Sequence, residues 1–192
     1  MGRVTLQMMM SLDGMLSGPK GEMDWIALDD PLNQDHLARL GRADVVIMGA
    51  GASAMSTYWT AAEHDNKAKE VFRALGRAIN QIPKVIYSHK TRSVDWRNAK
   101  VHVVADDRAL AEDIARLKRD SERSVLCYGG VRFARTLLKQ HLVDELALDI
   151  CPLILGVGES LFTGLTDRTN LRLDESVKYD SGAVLMRYVV AR

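Results

Sequence analysis

The stretch VVIMGAGASAM, Val45 to Met55, decides how this chain is read. Four apolar residues in a row have the composition of a strand buried on both faces. They run into Gly49, Gly51 and Ala54, which spell G-x-G-x-x-A, the lettering of a dinucleotide-binding turn. Glycine lets backbone approach a pyrophosphate closely, and the free N–H groups that open the next helix can receive it. A second junction of the same kind, Tyr128-Gly129-Gly130-Val131, follows the run SVLC and leads into the helical VRFARTLLKQH.

The Rossmann fingerprint follows the first strand of its unit and is answered about 20 residues later by an acid at the end of the next strand. Here VTLQMMM (Val4 to Met10) and a helix both precede the turn. The next strand, Lys84 to Ser88, ends in Ser88-His89-Lys90 without an acid. A hydroxyl, an imidazole and two cations, Lys90 and Arg92, suit a phosphate better than a ribose diol. The two turns therefore read as one site for a phosphorylated nucleotide cofactor. A true Rossmann NAD enzyme stays as the third of three readings.

Working outward, Asp30 and Pro31 form an N-cap and N1 pair for a helix carrying Leu32, Leu37 and Leu40 and stopping near Gly41. Ala68, Val71, Phe72, Leu75 and Ile79 repeat at helical spacing and end before Pro83. Lys100 to Val104 is a short strand, and Asp107 is placed to cap a helix with Leu110, Ile114 and Leu117 inward and Glu112 paired with Arg116 outside. DELALDICPLIL returns as a strand, and two β-rich arms around Asp180-Ser181-Gly182 form a hairpin. Strands alternating with helices imply an α/β three-layer sandwich, a single domain over residues 1–192, mostly parallel with a C-terminal antiparallel hairpin.

A formal net charge of +1 gives no electrostatic reason to expect nucleic acid or an anionic membrane surface. No apolar run approaches the roughly 20 residues that cross a bilayer. The opening MGRVTLQMMMSLDG lacks an apolar export core, so a cytoplasmic location is expected. Cys127 and Cys151, both in apolar stretches, are expected as free buried thiols. The patterns H-x-E with P-C-x-x-C, H-E-x-x-H, the Walker loop and G-x-S-x-G are all missing, and no metal site is expected.

MMSLDGMLSGPKGEMDWI resembles the opening of the reductase domain of the bifunctional riboflavin-biosynthesis deaminase–reductase, and of the stand-alone bacterial proteins related to it in the dihydrofolate reductase superfamily. Ser11 to Gly14, Gly21 to Trp25, the Gly49 turn, the Ser88 loop, Trp96 with Asn98, Gly129-Gly130, Leu142 to Leu146 and Pro152 to Phe162 follow the family's order over essentially the whole chain. The resemblance implies a dihydrofolate reductase-like fold, a homodimer and NADPH as hydride donor. It implies that Gly49, Ala50, Gly51 and Ala52, with Ser88, His89 and Lys90, hold the adenosine phosphate end. Gly129, Gly130, Val131 and Arg132 would hold the pyrophosphate. A pyrimidine- or pteridine-like heterocycle, such as the ribosylaminouracil phosphate of riboflavin synthesis, would lie near Asp13, Trp25 and His36.

Ala50 and Ala52 stand where stand-alone members carry Arg and Thr, so NADH or another hydride carrier stays open. A non-catalytic nucleotide-binding homodimer that lost the phosphate clamp is the second reading. Reduction also needs a proton source, and Asp13, Asp24, Asp29, Asp30 and Asp35 are the candidate acids. Asp13 is the catalytic candidate, with an Asx-turn as its alternative role. Trp25 could stack on a heterocycle. His36 either faces the cleft or is a partly exposed surface residue, His64 and His141 read as solvent or helix-end residues, and the Met8–Met10 run reads as core packing.

Overall fold

The computed structural model describes residues 1–26 and 28–191. Among these, eight strands form one sheet: β1 (Arg3–Ser11), β2 (Ala43–Gly49), β3 (Lys84–Ser88), β4 (Ala99–Val103), β5 (Ser124–Cys127), β6 (Glu145–Cys151), β7 (Leu171–Lys178) and β8 (Val184–Val190). Their order is β4-β3-β2-β5-β1-β6-β8-β7. The first six run parallel, and β8 lies antiparallel between β6 and β7. The expected mostly parallel sheet with a terminal hairpin is the fold observed. The strand foreseen through Leu155 stops at Cys151, because Pro152 has no N–H to continue a ladder.

The helices are α1 (Asp30–Gly41), α2 (Met55–His64), α3 (Glu70–Gln81), α4 (Asp107–Asp120) and α5 (Val131–Lys139), with a 3-10 turn over Ala50–Ala54 before α2. Period-two alternation in β1 explains their two layers. Val4, Leu6, Met8 and Met10 enter a core with Leu110 and Ile114 of α4 and Phe133, Ala134 and Leu137 of α5. Val46, Met48, Ile86 and Leu126 face Leu40 of α1, Trp59 of α2 and Leu75 and Ile79 of α3. The methionine run is thus core packing, and both cysteines are buried thiols outside any disulfide.

Four local expectations are corrected. The N-cap of α1 is Asp29, whose extended backbone lets Oδ1 accept from Leu32 N–H at 2.8 Å. Asp30 lies inside the first turn and bonds Lys69 Nζ at 2.9 Å. The cap of α4 is likewise Asp106, accepting from Ala109 N–H, while Glu112 takes Arg108 at 3.0 Å and Arg116 turns to Asp113. Ala68 precedes α3 instead of joining it. At the end of α3, the buried Lys84 ammonium donates to the carbonyls of Ile79, Asn80 and Ile82 at 2.7, 3.1 and 2.8 Å, the orphan acceptors of a helix C-terminus.

The connections part between β2 and β5. After β2 the chain passes through α2 and α3 on one face to β3, whereas after β5 it passes through α5 on the other face to β6. Adjacent parallel strands whose helices leave in opposite directions open a crevice at their C-terminal ends, the place where α/β sheets bind ligands.

Candidate active site

Both glycine turns sit at that crevice, and they touch. A Cβ on Gly49 would come 2.5 Å from Phe133 Cβ, so only glycine lets β2 end against α5. Gly129 and Gly130 have φ of +123° and +89°, the region that favours glycine. A Cβ on Gly130 would lie 3.1 Å from Gly49 N, and one on Gly129 would lie 3.4 Å from Ala52 Cβ. Gly51 differs: nothing lies within 4 Å of its added Cβ, so the fold makes no steric demand for glycine there.

Helix α5 follows this junction without a side-chain cap, as α2 and α3 begin too, whereas α1 and α4 are capped by aspartates. Its first intrahelical bond is Ala134 N–H to Gly130 O, which leaves the N–H groups of Val131 and Arg132 turned to the opening. An uncapped helix N-terminus beside a glycine-lined turn suits an anion. One strand further out, Gly49 is in register with Tyr87, so the Ser88–Lys90 loop flanks the Gly49 turn. Ser88 closes that loop on itself, donating to Lys90 O at 2.8 Å and accepting from Lys90 N–H at 3.1 Å. His89 Nδ1 bonds Val104 O at 3.1 Å, and the side chains of Lys90 and Arg92 are exposed. The eleven residues expected at the cofactor end therefore lie along three neighbouring strand ends.

Asp13 lies beyond β1, on the other side of β5. Its carboxylate accepts from Ser11 Oγ at 2.6 Å, Gly156 N–H at 2.8 Å and Leu155 N–H at 3.1 Å. The Ser11 hydroxyl, then the Gly156 amide, hold it ionised down to about pH 2. So held, Asp13 straps the loops around residues 13 and 155–156 together and is ill-suited to donate a proton at neutral pH. Trp25 is half-buried on its loop, donating Nε1–H to Glu22 O at 3.1 Å.

The surface reading of His36 is wrong. It is 2% exposed, between α1 and the sheet. Nε2 lies 2.8 Å from Asp149 Oδ2 and Nδ1 lies 3.2 Å from the Tyr128 hydroxyl. Arg39 Nη2 stands 3.4 Å from both oxygens of the fully buried Asp149, and Arg39 Nε donates to Gln7 Oε1 at 3.2 Å. Burial raises the Tyr128 hydroxyl above its ordinary range, against the opposing charge of Arg39. Beside these groups, Tyr179 donates to Asp35. Asn33 Oδ1 and Gln7 Nε2 are buried without a hydrogen-bond partner. The sequence carried two signals for this seam: Asp149 interrupts the apolar strand LALDIC, and His36 stands four residues from both Leu32 and Leu40, on the buried side of α1.

The profile of the RibD C-terminal domain matches residues 3–185. The chain belongs to the RibD C-terminal domain family. Its relatives include the uncharacterized protein YyaP of Bacillus subtilis (strain 168), 26% identical over 186 residues that cover 97% of this chain and 94% of YyaP. Among solved structures, RibD of Acinetobacter baumannii superposes with a TM-score of 0.72 at 16% identity, covering 100% of this chain and 59% of that one. Dihydrofolate reductase of Enterococcus faecalis, complexed with NADP(H), superposes at 0.62 and 12% identity, covering 100% and 98%. This RibD C-terminal domain therefore has the dihydrofolate reductase-like fold. Among the described residues no helix is long and apolar enough to cross a membrane, and no group of three or more His, Cys, Asp or Glu side chains could hold a metal ion.

Proposed function

We propose that this chain is an NADPH-dependent reductase acting on a pyrimidine- or pteridine-like compound, with 5-amino-6-(5-phosphoribosylamino)uracil as the substrate to test first. The observation that carries this reading is the contact between the two glycine turns under the uncapped start of α5. The pyrophosphate fits the amides from Gly129 to Arg132, and the adenosine phosphate end fits the Gly49–Ala52 turn with Lys90 and Arg92 alongside. Bound dihydronicotinamide supplies hydride. The family membership and the NADP(H)-bound structural neighbour support the same cofactor.

Titration with NADPH, NADH and NADP⁺, followed by ligand fluorescence and melting temperature, tests the proposal. NADPH binding at least tenfold tighter than NADH, with that ratio reduced by Lys90→Ala and Arg92→Ala, is the expected result. Ala50 and Ala52 offer no side-chain donor to a phosphate, and this favours the second reading, a nucleotide-binding homodimer without catalysis. Absence of binding by all three nucleotides overturns the reductase reading. A homodimer is part of both readings; Leu171 and Leu173 on the edge strand β7 are exposed, and sedimentation measures the association state.

A further inference from the structure

The reductase reading needs a proton donor, and the carboxylates near the crevice are committed elsewhere. Asp13 is strapped by three donors, Asp29 caps α1 and accepts from Ser181 N–H at 2.6 Å, Asp30 holds Lys69, and Asp35 holds the Tyr179 hydroxyl. Asp24 stands on an exposed loop. What remains is the line Asp149–His36–Tyr128, three side chains each at least nine-tenths buried and joined at 2.8 and 3.2 Å.

We propose that Tyr128 delivers the proton that completes the reduction, with His36 as its source and Asp149 as the group that orients the imidazole. The inference rests on the reductase reading above. With Asp149 as a carboxylate, the 2.8 Å contact puts a proton on His36 Nε2. Nδ1 then accepts from the Tyr128 hydroxyl when the ring is neutral and donates to it when the ring is charged. These two states differ by one proton, which is what a relay requires. Tyr128 stands directly before Gly129-Gly130 at the tip of β5, and its hydroxyl has no other protein partner among the described residues. Helix α1 starts from the same edge of the sheet, and Asn33, whose Oδ1 is unpartnered, lies one turn before His36 on the same side. A ligand between α1 and the β5 tip can satisfy both groups.

The step balances. A bound dihydronicotinamide would supply the hydride to an electrophilic C=N or C=O carbon, and the heteroatom left negative would take the O–H proton of Tyr128. The Tyr128 oxygen takes the Nδ1 proton of His36 in the same motion, so no buried tyrosinate forms. His36 is left neutral, still bonded to Asp149, and is reprotonated from solvent. Tyr128 is the catalytic residue in this scheme; His36 and Asp149 are positioning residues.

The test records ¹⁵N imidazole shifts of the labelled protein between about pH 5 and about pH 9. Steady-state reduction of 5-amino-6-(5-phosphoribosylamino)uracil by NADPH is measured over the same range. Arg39 and Asp35 on α1, Asp149 on β6, Tyr128 just after β5 and Tyr179 just after β7 are the charged and titratable groups around His36, so Arg39→Gln serves as the electrostatic control. The expected neutral tautomer carries its proton on Nε2 and gains one on Nδ1 as pH falls, and the rate falls as pH rises through that titration. Tyr128→Phe, which keeps the ring and its packing, lowers kcat by about 10²–10⁴-fold with little change in KM. His36→Gln loses the pH dependence of the rate. A Tyr128→Phe enzyme that keeps more than a third of kcat, or a neutral ring protonated on Nδ1, overturns the proposal. If wild-type protein reduces nothing, the reductase reading has failed, and the imidazole data decide the relay: protonation of Nδ1 mirrored at Tyr128 supports it, and a ring that never titrates sinks it.

Discussion

Replacing Gly49 by alanine separates what the fold requires of the crevice from what a ligand requires. The new Cβ meets Phe133 Cβ at 2.5 Å and Phe133 Cγ at 3.3 Å, whereas carbon atoms rest at about 3.5–4.0 Å. The overlap is therefore about 1 Å. No rotamer of Phe133 relieves it, because Cβ is fixed to the α5 backbone. Nor can the ring swing freely, since it stacks on Tyr87 with centroids 5.3 Å apart. The first turn of α5 must retreat, and overpacking of this kind costs about 1–3 kcal/mol. With no flexible atom to yield, the upper half of that range applies, or about 4–12 °C in Tm for a chain of this size. Gly51→Ala is the control: nothing lies within 4 Å and the residue is not among those with positive φ. Relief of unfolded-state entropy there contributes about 0.4–1 kcal/mol of stability. Urea melts and thermal scans of the two variants, each with and without NADPH, give both answers. Gly49→Ala is expected to melt well below wild type. Gly51→Ala should match or exceed wild type alone, yet gain less from NADPH. Equal melting of Gly49→Ala and wild type would refute the close-approach argument. Undiminished stabilisation of Gly51→Ala by NADPH would show that no ligand backbone contact depends on that glycine.

Lys84→Met removes the donor to three helix-end carbonyls and should destabilise by about 2–4 kcal/mol in urea melts at neutral pH. Burial lowers the Lys84 ammonium to about 8, so between that pH and the unfolded value of 10.5 the unfolded chain binds more protons. Wild-type stability should accordingly rise across that window relative to the Lys84→Met variant, and a falling difference contradicts the assignment. Asp13→Asn weakens the strap, and amide exchange at Leu155 and Gly156 should speed up at neutral pH. Because the Asp13 carboxyl is lowered to about 2, wild-type protection there should persist as pH drops below 4 and fade only near the lower value. Loss of protection already at pH 5 argues against it.

The parts of this molecule legible in its sequence are those that a local rule governs. Strand alternation, helical spacing, and glycine where a turn needs positive φ or close approach located the sheet and both turns of the crevice. The caps were missed by one residue in each case because Asp29-Asp30 and Asp106-Asp107 are pairs, and only backbone conformation tells which member turns its carboxylate to the helix. The full set of Asp13 partners was hidden for a different reason: two of its three donors come from residues 155 and 156, far away in sequence.

The polar seam under α1 is the instructive case. His36, Asp149 and Tyr128 come from three separate stretches of the chain, and no motif joins them. Burying such groups is costly unless they are paired, so an aspartate inside LALDIC already implies a partner across the sheet face. The helical spacing that buries Leu32 and Leu40 buries His36 as well, and a histidine there needs a partner of its own. Joined, these two local demands point toward each other: α1 must cover the strand that carries Asp149. The pairing appears in no motif, and Gln7 Nε2 and Asn33 Oδ1 beside it stay unpaired. A seam in which most polar groups are matched and two are not is poorly suited to stability alone, because a partly satisfied network is inferior to an apolar one. Its chemistry makes sense if a polar ligand completes it, beside the same strand end that receives the cofactor phosphates.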